Sequence, residues 1–168
     1  MNKPILIFLL FFVSLSYSQT VNNSNCTSIY LIRHAEKERN NINDKNPHLN
    51  PKGLIRAEKW NSFFKNIKFD AVYSTDYFRT KETAKPILSE TQKLTIYNPS
   101  SINYDDFMEL NKGKIVLVVG HSNTIPNFSN KILEKDIYKN IEDNNNSNLY
   151  FISKCDGNTT SHALYYVN

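Results

Sequence analysis

Two histidines in this sequence directly follow the ends of short apolar segments. His34 stands two residues after the run 29–32, and His121 stands two residues after the run 115–119. Apolar runs without a polar face are typical of strands that are covered on both sides, as in a parallel sheet. Ligands of open α/β sheets bind outside the carboxyl ends of the strands. If both strands are parallel neighbours, both imidazoles face one crevice.

Two arginines are predicted to reach the same crevice. Arg33 immediately precedes His34, and Arg79 follows a third predicted strand over 69–73, within the first turns of a predicted helix. A helix N-terminus carries partial positive charge and free N–H groups, so it also favours anions. Two imidazoles, two guanidiniums and a helix terminus together predict a pocket for a dianionic phosphoryl group.

These residues resemble the signature of the histidine phosphatase superfamily, whose relatives include the cofactor-dependent phosphoglycerate mutases. The superfamily has an Arg-His-Gly tripeptide after its first strand, where this chain has Arg33-His34-Ala35. Further blocks match in the same order along the chain, over residues 31–40, 49–57, 73–84 and 118–126. The resemblance implies an α/β fold, a three-layer α/β/α sandwich with a mainly parallel sheet.

The resemblance also implies a role for each candidate residue. His34 would be the nucleophile, because a neutral imidazole nitrogen is nucleophilic and phosphohistidine is labile enough to hydrolyse. Arg33 and Arg79 would hold the phosphoryl oxygens, and His121 would donate to the same oxygens. Because these donors supply the charge stabilisation, we expect no metal ion and no organic cofactor. Further substrate contacts are expected from Asn40 and Ser122.

A general acid should protonate the leaving oxygen. Superfamily relatives place a Glu or Asp between the second arginine and the second histidine. Asp106 stands about where mutase-like relatives have their Glu, so we predict it as the acid. Asp105 and Glu109 are the alternatives, and each of the three is otherwise a solvated helix charge. Some small relatives have no clear donor, so the acid is not required for the resemblance.

The first residues predict a secretory signal peptide over 1–18. Lys3 precedes the apolar run 4–13, and Ser16 and Ser18 supply small residues at positions −3 and −1 from a cleavage site before Gln19. The alternative is a membrane anchor, but a membrane span needs about 20 apolar residues. We therefore expect a secreted or periplasmic protein without stable membrane association after cleavage.

Residues 19–168 have the length of a single histidine phosphatase domain. The net charge of +4 falls by one when Lys3 is removed, and no basic run or stripe is present, so nucleic acid is not an expected partner. In an oxidising compartment Cys26 and Cys155 could form a disulfide; two separate thiols are the alternative. The sequence leaves the oligomeric state open.

Periodicity and turn residues predict the elements that position the site. Asn50 and Pro51 predict the start of a helix over 51–65. A second helix is predicted over 77–88, capped within 74–76 and shortened by Pro86. Shorter helices are predicted over 104–110, 126–133 and 137–141, and a terminal hairpin over 149–153 and 161–167. The first helix carries apolar residues at helical spacing: Leu54, Ala57, Trp60, Phe63 and Phe64. Of these, Trp60, Phe63 and Phe64 are predicted as core.

Together these observations predict an exported phosphatase of the histidine acid phosphatase type, which hydrolyses a small phosphomonoester through a phosphohistidine intermediate. The segment between Arg79 and His121 is too short for the large cap of many relatives, so we expect an open site. Two alternatives remain: a phosphohistidine-protein phosphatase, and a phosphate-binding module without catalysis. A mutase is disfavoured because the chain lacks the long insertion that holds a phosphoglycerate.

Overall fold

The computed structural model describes residues 26–155 and 160–167. The predicted signal peptide and the predicted turn at 156–158 lie outside the described residues. Within those two ranges, no helix combines the length and the hydrophobicity that a membrane crossing requires.

Within the described residues, six strands form one sheet, and four helices cover it. The strands are β1 (Cys26–Arg33), β2 (Ala71–Ser74), β3 (Leu94–Ile96), β4 (Ile115–Gly120), β5 (Asn148–Cys155) and β6 (Thr160–Tyr166). The helices are α1 (Pro51–Phe64), α2 (Phe78–Ala84), α3 (Tyr104–Leu110) and α4 (Thr124–Leu133). The strand order is β3-β2-β4-β1-β5-β6, in which β3, β2, β4 and β1 are parallel and the β5–β6 hairpin is antiparallel.

The helices pack on both faces of this sheet. On one face, Trp60 and Phe64 of α1 pack with Leu117 of β4 and their neighbours. On the other face, Phe107 of α3 and Phe128 of α4 pack in a second cluster with residues of β1 and β4. Both faces of β1 and β4 are therefore buried, as their unbroken apolar runs predicted. The predicted three-layer α/β/α sandwich with a mainly parallel sheet is confirmed.

Helix α1 begins where its capping residues predicted. The Asn50 side chain accepts a hydrogen bond from the Gly53 amide at 2.9 Å, and Pro51 occupies the first turn. The core prediction was wrong for Phe63, whose exposure is 46%, and Leu54 is exposed as well, at 54%. They flank a narrower buried stripe with spacings of four, three and four residues, formed by Gly53, Ala57, Trp60 and Phe64.

Gly53 brings α1 against the segment that follows His34. A Cβ atom at position 53 would stand 2.0 Å from the backbone oxygen of Glu36. An alanine normally stabilises a helix relative to glycine by about 1 kcal/mol. Here we expect Gly53→Ala to destabilise the fold by about 1–3 kcal/mol, because the backbone must move to relieve the overlap. Urea unfolding measures this, with the exposed Lys59→Ala of the same helix as control; equal midpoints for the two variants would contradict the prediction.

Two helix predictions need correction. The α2 helix ends at Ala84, and Pro86 lies in a 3₁₀ turn, so the predicted shortening by Pro86 is confirmed. The predicted cap within 74–76 was wrong: Tyr77 stands at the N-cap and makes no side-chain cap bond. Residues 137–141 are not helical, because the Asn130 side chain takes up the local backbone groups by accepting from two amides and donating to the Tyr138 carbonyl.

The terminal hairpin is confirmed, and it carries one half of a disulfide. Cys155 of β5 stands opposite Cys26 of β1 in the antiparallel register. The two cysteines are joined by a disulfide bond, so the sequence's other alternative, two separate thiols, is excluded. The bond ties the first residue of β1 to the last residue of β5 across 129 positions of the chain.

Candidate active site

A cleft of about 380 Å³ opens beyond the carboxyl ends of β1 and β4. The parallel register places Arg33 at the end of β1 opposite Gly120 at the end of β4, so the residues that follow both strands meet at one edge. Five of the residues predicted from sequence line this cleft together: Arg33, His34, Arg79, His121 and Ser122.

His34 is held rigidly at the floor of the cleft. Its backbone amide donates to the Gly120 carbonyl at 2.9 Å, and its carbonyl accepts from the Asn146 side-chain amide at 2.8 Å. Its exposure is 4%. These bonds tie the residue to β4 and to the loop before β5, so little conformational freedom remains to be lost when it reacts.

The imidazole of His34 has a defined tautomer. Nδ1 lies 2.7 Å from the carbonyl oxygen of Ala35, which can only accept, so Nδ1 carries the proton. The lone pair is therefore on Nε2, the nitrogen that can attack phosphorus. Burial lowers the pKa of His34 to about 3, and the neighbouring His121 and arginines act in the same direction. The imidazole of His34 is thus neutral throughout the physiological pH range.

His121 lies beside His34, with ring centroids 5.4 Å apart. A terminal nitrogen of Arg79 lies 3.4 Å from His121 Nδ1 and can only donate to it. Nε2 therefore carries the proton and donates to the Thr75 hydroxyl at 3.0 Å, which donates onward to Thr80. Burial lowers the pKa of His121 to about 4, with further contributions from the nearby cations. A bound phosphoryl dianion would reverse that electrostatic balance and favour the imidazolium.

Arg79 presents unsatisfied donors at the cleft. Its guanidinium lies over the Tyr77 ring, 4.4 Å from the centroid. Its Nε and one terminal nitrogen are buried and have no hydrogen-bond partner among the described residues. A buried donor without a partner costs about 1–3 kcal/mol, and an anion accepting from it removes that cost. Arg79 is therefore preorganised to receive the oxygens of an anion, and its predicted role in binding phosphoryl oxygens stays a prediction.

Arg33 is engaged more fully than the sequence suggested. One terminal nitrogen donates to three carbonyl oxygens, those of Glu142, Asp143 and Asn145, at 2.8, 3.1 and 2.9 Å. The other donates to Asp143 Oδ1 at 3.0 Å. The guanidinium thus fixes the loop 142–145 beside the cleft, and Nε is its donor without a described partner. Contact between Arg33 and phosphoryl oxygens stays a prediction. It would have to use Nε and the one hydrogen of the second terminal nitrogen that does not point at Asp143.

Six lining residues were missed by the sequence analysis: Lys37, Tyr77, Pro99, Asn123, Thr124 and Asp143. Asp143 accepts from Arg33 through Oδ1 and from Arg39 through Oδ2, the latter at 2.8 Å. These hydrogen bonds lower the pKa of the Asp143 carboxyl to about 2, and the bond from Arg39 has the largest effect. The Asn-rich loop of Asp143 gave no signal of this contact. Lys37 stands three residues after the nucleophile, which was the available signal for it.

The cleft does not include two predicted site residues. Asp106 is exposed in the first turn of α3, where its backbone amide donates to the Asn103 side chain at 3.3 Å. Asn40 is exposed and donates to Glu38 at 3.1 Å. Neither lines the cleft. Their assigned roles stay predictions that the geometry does not support, and the alternatives Asp105 and Glu109 are equally outside it.

The two buried imidazoles should make the fold sensitive to mild acid. Their pKa values are about 3 and about 4 in the folded chain, against about 6.5 when unfolded. Between about pH 4.5 and 6.5 the unfolded chain therefore binds protons that the folded chain does not. The free energy of unfolding should fall with decreasing pH, by up to about 1.4 kcal/mol per pH unit for each histidine. Urea titrations at pH 7 and 5 test this; equal stability at both would contradict it.

The family comparison agrees with this geometry. Residues 29–103 match the family described as the histidine phosphatase superfamily, branch 1. The predicted resemblance to this superfamily is therefore confirmed. The match covers 75 of the 168 residues of the chain. No curated protein matches the chain by sequence.

Solved structures share the fold at low sequence identity. The protein histidine phosphatase SixA complexed with tungstate has a TM-score of 0.65 at 11% identity, covering 83% of this chain and 96% of its own. Phosphoglycerate mutase from Bacillus anthracis str. Sterne has a TM-score of 0.64 at 18% sequence identity, and the match covers 86% of this chain and 93% of the mutase. A phosphoserine phosphatase mutant from Entamoeba histolytica in complex with phosphoserine has a TM-score of 0.63 at 16% sequence identity. The match covers 84% of this chain and 96% of that protein. The phosphoglycerate mutase-like fold is thus confirmed.

Potential metal ligands are dispersed in the part of the chain that the structure describes. Over residues 26–155 and 160–167, no group of three His, Cys, Asp or Glu side chains could hold a metal ion. Metal independence stays a prediction, which a chelator experiment can test.

Proposed function

We propose that this chain is an exported phosphatase that hydrolyses a small phosphomonoester through a phosphohistidine at His34. The observation that carries the proposal is the fixed tautomer of His34, whose Nδ1 is bound to the Ala35 carbonyl and whose Nε2 is free in a cationic cleft. A nucleophile of this kind, beside two guanidiniums, matches the needs of phosphoryl transfer.

The reaction proceeds in two displacements. In the first, His34 Nε2 attacks phosphorus, the ester P–O bond breaks, and the leaving oxygen takes the electron pair and a proton. Arg79 stabilises the equatorial oxygens through its buried Nε and terminal nitrogen. In the second, water attacks the phosphohistidine, the P–N bond breaks, and inorganic phosphate leaves neutral His34 behind.

Export is part of the proposal, and two features support it. The first residues have the composition of a secretory signal peptide. The disulfide between Cys26 and Cys155 is of the kind that forms and persists in oxidising compartments. Fractionation of the native host, with N-terminal sequencing of the mature protein, tests this part; a cytoplasmic chain that retains residue 1 would contradict it.

Phosphate release from a panel of phosphomonoesters tests the activity. We expect turnover of at least one ester that is unaffected by a metal chelator and inhibited competitively by vanadate. Absence of both turnover and phosphoenzyme, with retained phosphate binding, would instead identify a phosphate-binding module.

The openness of the cleft favours a second candidate, a phosphohistidine-protein phosphatase. Between Arg79 and His121 the chain forms the rest of α2, a 3₁₀ turn, β3, α3 and β4, which leaves no domain to cap the site. A protein surface could therefore reach His34. A histidine-phosphorylated protein supplied as substrate distinguishes the two: faster dephosphorylation of the protein than of any small ester would favour this candidate.

A further inference from the structure

The first displacement needs a proton donor, and the cleft restricts the choice. The carboxylates predicted from sequence lie outside it. Asp143 lines it, but its two oxygens accept from Arg33 and Arg39, and it is held ionised. His121 already donates its proton to Thr75. Before phosphate binds, none of these groups has a free proton to give to a leaving oxygen at neutral pH. An imidazolium formed at His121 when phosphate binds would carry its added proton on Nδ1, the nitrogen that faces Arg79.

Lys37 is differently placed. It lines the same cleft as His34, three residues further along the chain, and is partly buried. Its ammonium makes no hydrogen bond or ion pair with the residues of the described ranges, so its protons are uncommitted. The lysine stem is flexible enough for the ammonium to follow a substrate oxygen.

The charges around Lys37 favour release of a proton. Burial is the largest cause that lowers the pKa of Lys37. The neighbouring Arg79, Arg39 and Arg33 lower the pKa further, whereas Asp143 raises it. His121 is the remaining titratable neighbour, and its own pKa is depressed in part by Lys37. A donor works best when its pKa lies near the working pH, and a lysine brought down by burial and cations moves in that direction.

We propose that Lys37 is the general acid that protonates the leaving oxygen, an inference that rests on the proposed phosphatase function. As the P–O bond breaks, one proton passes from the Lys37 ammonium to the departing oxygen, giving the alcohol and a neutral amine. In the second displacement the amine takes a proton from the attacking water, which restores the ammonium as phosphate forms. The protons balance over the cycle without any further reactant.

The dependence on the leaving group tests this assignment. General acid catalysis typically contributes about 10²–10⁴-fold, and it matters most when the leaving alcohol is poorly acidic. We expect Lys37→Met to lower kcat/KM for ethyl phosphate by about 10²-fold or more, but for p-nitrophenyl phosphate by less than about fivefold. The ratio kcat/KM is the suitable readout because it reports only the steps up to departure of the alcohol.

Two further variants separate proton transfer from charge. Lys37→Arg keeps the cation but cannot release a proton, so we expect it to be as defective as Lys37→Met on ethyl phosphate. Lys68→Met removes an exposed charge from the loop before β2 and should match the wild type on both esters. Rescue by arginine, or an equal loss on both esters in Lys37→Met, would overturn the assignment. If the wild type cleaves neither ester and forms no phosphoenzyme, the proposed function is overturned instead.

Discussion

Replacement of His34 by alanine should lower kcat for any phosphomonoester that the wild type cleaves by about 10⁴-fold or more, the scale seen when a covalent nucleophile is removed. The imidazole is buried, fixed by three hydrogen bonds of its backbone and ring, and neutral. His121 cannot substitute for it, because its ring is engaged by Thr75 and Arg79. Phosphate release under single-turnover conditions is the measurement.

His162→Ala is the matched control for this experiment. His162 is an exposed residue of the β6 edge strand, where Nδ1 pairs with the Tyr138 hydroxyl at 2.8 Å. Its loss should change kcat by no more than about twofold. Activity retained in His34→Ala at a tenth or more of the wild-type rate would mean that another group is the nucleophile.

The second large effect is expected at Arg79. Arg79→Met removes the buried donors that aim at the cleft and the contact to His121, so kcat/KM should fall by about 10²–10³-fold, as when an oxyanion donor is lost. Lys81→Met, on the same helix but in an exposed pair with Asp76, should have almost no effect.

The same variant has a second signature. Arg79 is the largest charged contributor, after burial, to the low pKa of His121. In Arg79→Met the pKa of His121 should therefore rise, which an NMR titration of the imidazole protons would show. A loss of activity with no change in this titration would mean that the arginine acts from farther away than the structure places it.

The scaffold of the site was predictable because its signals are local. The runs of β1 and β4 are apolar on both faces, and parallel strands deliver their carboxyl ends to one edge, so the meeting of His34 with His121 followed from topology alone. The start of α1 followed from Asn50 and Pro51 in the same way. The strands and the helix start can each be recognised from residues close together in the chain, and the adjacency of β1 and β4 that the prediction assumed is the one the structure has.

What sequence could not show depends on side chains meeting across long separations. Arg33 and Asp143 are 110 positions apart, so neither the engagement of the guanidinium nor the place of the carboxylate had a local signal. The choice of Asp106 relied on its position in the chain, whereas the orientation of α3 leaves it in solvent. Lys37 had no signal in the sequence beyond its position three residues after His34.

Trapping of the phosphoenzyme is the most direct test of the account. The enzyme is mixed with an excess of a substrate it cleaves, quenched in alkali within milliseconds, and digested for mass spectrometry. The account predicts a phosphoryl group on His34, attached through Nε2, that disappears as substrate is consumed and is absent from His34→Ala. Turnover without a phosphorylated His34, or phosphorylation of another residue at the rate of turnover, would contradict it.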